Sequence, residues 1–333
     1  MARIDKRFGA TDGWIRMPDG TEHYIFGFVD LTGVPEERLA LYRGRATLPG
    51  PLLEVGEGDE VYLTLTNLGF PGRPELDDTH TIHWHGFPNQ IPLWDGVPET
   101  SISVPVGRSF TYYFKPADPG TYMYHCHFEP VEHIQMGMLG PLIVRPALEK
   151  NPAFAGRLFA YNDTATEYQR EVIVLLTELD AVAHSRVATA QPYDWTEYRP
   201  HYWLISGRSY PDTVKPADDP SLPGQPFSAL ITARQGEKVL LRFINLGYEL
   251  HTLQLLGLPL RIIGQDAKLL RGYHGEDLSH SATSLTIAAG QTVDALVTAS
   301  RPGIYPLYNR SYHKNTNAGL TFGGMITEFR VVP

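Results

Sequence analysis

One cysteine, Cys126, is all that 333 residues supply. A lone thiol forms no internal disulfide, so it is a buried small hydrophobe, a nucleophile or a metal ligand. Basic residues are also short, 28 Lys+Arg against 37 Asp+Glu. The resulting net charge of −9 argues against a nucleic-acid partner, because neutralising phosphates takes a basic face. No stretch approaches the roughly 20 apolar residues that span a bilayer, and no membrane partner is expected. Neither a Gly-rich phosphate loop nor a nucleophile elbow is present. The start, Met1-Ala2-Arg3-Ile4-Asp5-Lys6, lacks the apolar core of a signal peptide, which leaves a cytosolic protein or one whose leader was removed. Helical periodicity is equally scarce; only Pro35 to Tyr42 reads as one short helical turn.

What the chain does have is ordinary globular composition, 42% hydrophobic and 20% charged, and enough length for about two domains. Thirty-one glycines and 27 prolines punctuate short runs rich in Val, Ile, Thr, Tyr and Phe. Glu60-Val61-Tyr62-Leu63-Thr64-Leu65, Ser109-Phe110-Thr111-Tyr112-Tyr113-Phe114 and Glu171-Val172-Ile173-Val174-Leu175-Leu176 are examples. Such runs predict an all-β sandwich or barrel.

The two halves match. Val55-Gly56-Glu57-Gly58-Asp59-Glu60-Val61 reads like Ala233-Arg234-Gln235-Gly236-Glu237-Lys238-Val239, and the stretch from Thr100 to Tyr122 aligns without a gap with Thr283 to Tyr305. Gly137-Met138 matches Gly324-Met325. Two tandem sandwiches, 1–147 and 170–333, follow, with an irregular linker near Glu149 to Gln169. The repeat is also an internal control. Where the first copy has His83, His85, His125, Cys126 and His127, the second has Gln254, Leu256, Tyr308, Asn309 and Arg310. The fold does not need those five residues for packing.

Six of the thirteen histidines lie between His80 and His133, in His80-Thr81-Ile82-His83-Trp84-His85 and in His125-Cys126-His127 with His133. Alternation along a strand points His83 with His85, and His125 with His127, while Cys126 faces the other way. On the Cys126 side stand His80, His133 and a thioether, with Met138 preferred as axial ligand over Met136. Two imidazoles, one thiolate and a weak Met are the ligand set of a blue copper site. Four neutral imidazoles on the opposite face suit copper that reduces a small oxidant. Zinc also takes Cys and His, but gives no reason for the downstream Met. His23, His184 and His201 read as ordinary residues in loop-like sequence, and Glu129 and Glu132 as a solvated loop on the rim of the thiolate site.

On these motifs the chain resembles the cupredoxin-fold multicopper oxidases, which include laccases, and their relatives the two-domain copper nitrite reductases. The resemblance implies an all-β protein of two tandem cupredoxin-like Greek-key β-sandwiches with copper as cofactor. It makes His80, Cys126, His133 and Met138 the type 1 copper ligands, and His83, His85, His125 and His127 half of a type 2/type 3 oxygen-reducing cluster. Asp95, in Trp94-Asp95-Gly96, matches a proton-relay carboxylate, although a turn aspartate before glycine accounts for it equally. Further implications are a small-molecule reductant or redox protein and molecular oxygen as partners, a homo-oligomer (a trimer), and a periplasmic or secreted location. One departure stands out: of the cluster motif the second copy keeps only His251. Another subunit's His313, His274 or His280, two first domains face to face, or a reduced copper count would each answer it. The leading expectation is a copper oxidase. A non-catalytic blue copper carrier is the alternative, and a nitrite reductase the third.

Overall fold

The computed structural model describes residues 2–86 and 91–333. The first sandwich faces one sheet against another. One sheet has the order β2 (Glu22–Asp30), β1 (Arg3–Arg16), β4 (Glu60–Gly69), β6 (Ser109–Phe114). The other runs β3 (Leu53–Gly56), β8 (Leu139–Arg145), β7 (Gly120–His125), β5 (His83–His85). In β4 the alternation of the sequence becomes burial: Val61, Leu63 and Leu65 have no exposed surface, while Glu60, Tyr62 and Thr64 are half-buried. The second sandwich repeats the plan. Its larger sheet is built on Arg170–Leu179 parallel to Lys238–Asn245, as β1 is parallel to β4. Its smaller sheet has Ile231–Arg234 parallel to Ile326–Val332, as β3 is parallel to β8.

Helix is confined to short pieces. Glu36–Tyr42 is the single helical turn expected there, in 3-10 form. Two α-helices were not expected: α1 (Pro130–Met136), which carries His133, and α2 (Ala181–Ala188), which carries His184. Asp180 caps α2 by accepting from the amides of Val182 and Ala183. His184 is therefore a fully buried helix residue rather than a loop one. Its Nδ1–H donates to the Tyr24 carbonyl at 2.6 Å, and its Nε2 lies 3.2 Å from the Gln135 carbonyl. The segment between the copies is likewise packed, with a two-stranded ribbon (Leu158–Phe159 with Glu167–Tyr168) and buried Tyr161.

The sandwiches share an apolar seam. Ile15, Ile25, Leu48, Met123 and Leu139 of the first meet Leu175, Leu179, Leu204, Ile244 and Leu246 of the second. Beside it runs a buried polar network: Thr121 donates to Asp294 at 2.6 Å, Tyr161 to the other oxygen of Asp294 at 2.6 Å, and Arg242 reaches Thr121 and Glu171. Arg145 of β8 pairs with the same Glu171.

Candidate metal centres

β5 and β7 set the two faces apart. Their register places His83 opposite His125, Trp84 opposite Tyr124 and His85 opposite Met123. Trp84 and Tyr124 turn into the core with 1% exposure or less, so the three histidines face outward together. One ring nitrogen from each of His83, His85 and His125 lies within 4.8 Å of the other two. The ring of His127 is 5.2 Å from that of His83 and 5.7 Å from that of His125, and it stays outside this trio. Two tautomers are fixed by carbonyls. His83 Nδ1–H donates to Asp95 O at 2.7 Å and His125 Nδ1–H to Cys126 O at 2.9 Å, which leaves each Nε2 lone pair for a metal. Gly96 makes the first possible: it has φ +77°, and a Cβ there would lie 2.1 Å from the Ile82 carbonyl. The Asp95 carboxylate stands 3.5 Å from His83 Nδ1. The turn at Gly290 of the second sandwich approaches His85 closely enough that a Cβ would meet its ring at 3.3 Å.

Behind this face, Cys126 turns inward. One ligand atom each of His80, Cys126 and His133 forms a second trio within 4.8 Å, and all three residues are buried. Cys126 Sγ is 3.4 Å from His133 Nδ1, and the His80 and His133 rings are 4.9 Å apart. Phe26, Phe70 and Phe128 pack against the imidazoles. Met136 and Met138 are fully buried in the same core, and the Met138 carbonyl accepts from the Cys126 amide. The Thr81 amide points at Sγ from 3.4 Å.

The decisive observation is what His80 lacks. Neither of its ring nitrogens has a hydrogen-bond partner, nor has His133 Nε2, although all are buried. Buried polar atoms are nearly always satisfied, so this pocket is shaped for something that binds nitrogen lone pairs. Burial holds His80 well below its usual range, His133 down to about 4 and His125 down to about 3, so these imidazoles are neutral at pH 7. The same burial pushes the Cys126 thiol up to about 11. Such a thiol yields its proton to a metal rather than to solvent.

Three further placements matter. Glu129 is exposed and Glu132 half-buried at the rim, where burial with Asp78 and Glu129 nearby raises Glu132 to about 7. Asp78 went unnoticed in the sequence. It lies two residues before His80, and only the fold sets it beside Glu129 and His133. His313 packs on Trp203 in the second sandwich, and His274 and His280 are exposed there; none joins the His83 trio within this chain.

Multicopper oxidase family models match residues 30–149 and 176–325, together most of both sandwiches. The chain belongs to the multicopper oxidase family. Copper is accordingly the cofactor, and both donor sets suit it. Among its relatives, copper resistance protein A of Pseudomonas syringae pv. tomato is 28% identical over 300 residues, 81% of this chain and 44% of its own. Putative laccase-17 of Oryza sativa subsp. japonica is 29% identical over 282 residues, 79% of this chain and 42% of its own. The chain thus spans less than half the length of these two. Among solved structures, the multicopper oxidase mgLAC superposes with a TM-score of 0.75 at 25% identity, covering 100% of this chain and 88% of that one. Copper nitrite reductase from Nitrosomonas europaea gives 0.68 at 19% identity over 99% and 94%, a likeness of fold.

Proposed function

We propose that this protein is a copper-dependent oxidoreductase that takes single electrons from a reducing substrate at the His133 side and reduces molecular oxygen at the outward histidine face. In this reading residues 1–147 are the working copper domain and 170–333 its partner. His80, Cys126, His133 and Met138 hold type 1 copper; His83, His85, His125 and His127 hold the oxygen-reducing copper. Bound copper supplies one-electron redox chemistry at both places and an oxygen-binding position at the second. The chain supplies everything else. Phe26, Phe70 and Phe128 keep water from the buried trio, and Asp95 fixes His83 while its carboxylate stands ready to pass protons. The observation that carries the reading is the route between the two donor sets: Cys126 is bonded to His125 and His127, and its carbonyl also accepts from the His125 ring at 2.9 Å. Substituting Cys126→Ser is expected to remove intense blue absorption and oxygen uptake with a hydroquinone together; retained oxygen uptake would sink the scheme.

The outward face carries half the histidines of a complete cluster, which favours assembly with further subunits, a homotrimer by family likeness, in the periplasm or outside the cell. A carrier without oxidase activity is the second reading. What favours it is that His251, the one motif histidine of the second copy, has both nitrogens engaged by Glu178 and Asn309. Copper content separates the two: one per chain without oxygen uptake favours the carrier, and a higher content with uptake the oxidase.

A further inference from the structure

We propose that a cleft between the two sandwiches binds a small organic cation, a protonated amine or amidine carried on an apolar frame. The cleft holds about 590 Å³ and shares no residue with either histidine trio. Its size and its place between two domains are those of ligand pockets, which are lined mostly by apolar groups with a few placed polar ones. Val29, Pro51 and Leu52 line it from the first sandwich, and Val172, Ile173 and Phe227 from the second, all of them half-buried.

The polar side chains on its walls accept and do not donate. The Thr47 hydroxyl donates to the Pro49 carbonyl at 2.8 Å and the Ser228 hydroxyl to the Lys215 carbonyl at 2.7 Å, so each has only oxygen lone pairs left to offer. Asp30 and Asp218 add two exposed carboxylates. Among the described residues neither joins an ion pair, and Asp30 accepts only from the Thr32 amide, at 2.8 Å. No lysine, arginine or histidine lines the cleft among those residues. Glu171 also lines it, but Arg145 and Arg242 already neutralise that carboxylate. Buried Arg208 lies within electrostatic reach of Asp218, yet its guanidinium donates to the carbonyls of Gln225, Lys215 and Pro216. Lys215 Nζ is held by Asp212 at 2.8 Å. A ligand with N–H donors and positive charge complements such walls, and its apolar body covers the half-buried side chains; an anion would face only acceptors.

Benzamidinium is the probe, and neutral benzamide, of the same shape, its control. Titration calorimetry on copper-loaded protein should show one benzamidinium per chain, bound roughly tenfold or more tightly than benzamide, because hydrogen bonds assisted by charge are the stronger kind. In the Asp30→Asn, Asp218→Asn double variant, benzamidinium affinity should fall roughly tenfold. Its melting temperature should match that of the parent, since both side chains are exposed and an amide oxygen at position 30 still accepts from Thr32. Affinity should also be unchanged once copper is chelated, which separates the cleft from the histidine faces. No binding at millimolar benzamidinium, equal binding of benzamide, an unaffected double variant, or affinity that disappears with the copper would each overturn the site.

Discussion

The pockets around His80 and His251 occupy equivalent places in the two sandwiches, and one is open where the other is closed. In the second, His251 Nε2 donates to Glu178 at 2.5 Å, and its Nδ1 faces the Asn309 amide at 3.1 Å and the Lys314 ammonium at 3.4 Å. Asn309 stands where Cys126 would be, and its amide reaches Met325 Sδ, the counterpart of Met138, at 3.4 Å. Lys314 is anchored further by the Leu250 carbonyl and by Glu249. Both ring nitrogens of His251 are matched within the chain; neither ring nitrogen of His80 is. A cavity of the same design can thus be finished by protein atoms or left for a metal. The unsatisfied nitrogens mark which is which.

The comparison can be broken in order of size. Removing Glu178, whose carboxylate serves His251 and the amides of Tyr248 and Glu249, strands the buried His251 donor and two half-buried amides. Glu178→Ala is expected to cost about 3–5 kcal/mol in denaturant unfolding, as for other broken buried pairs; a cost below 1 kcal/mol would mean that the second pocket is not held by that pair.

The next effect comes from pH. Burial lowers His184 to about 4, and its ordinary value is 6.5. A histidine lowered on folding takes its proton first in the unfolded chain. Stability is therefore complete above pH 6.5 and falls as pH drops toward 4, by something on the order of 3 kcal/mol at the low end. Melting of metal-free protein across that window, set against His184→Gln, checks it; the variant should show a shallower slope.

The smallest effect has the opposite sign. His80→Leu removes two unpaired buried nitrogens, so metal-free protein should gain about 1 kcal/mol. Copper, which should stabilise the parent by mass action, should then give the variant less. Thermal melts with and without copper settle it, and a destabilised metal-free variant would contradict the reading of an open pocket.

Much of this was legible in the sequence because it is local. Period-2 alternation in Glu60–Gly69 and the His-x-His and His-Cys-His spacings fix which face each residue takes, and the duplication supplied the outline of the fold. What escaped depends on distant partners or short signals. Asp78 and Glu129 are some fifty residues apart and meet only through packing. Glu178 reads as one more residue of an apolar strand until the fold brings His251 to it. Helix α2 spans 8 residues, too few for a periodic pattern, and its one clear mark was the capping Asp180. His127 follows the strand rather than belonging to it, so alternation alone overstated how closely it joins the histidine trio.

Helix α1 gives the closed pocket a role in the open one. The Gln135 side chain donates to the Glu178 carbonyl, and Tyr248 of the second sandwich donates to the carbonyls of Pro130 and Val131 at the start of the helix. His133 is thus braced from the copy whose matching pocket is closed by its own side chains. The second sandwich is the jig that sets His133 in place, so, on the reading proposed above, changes along the Glu178 strand should register as shifts in the colour and reduction potential of copper bound in the first.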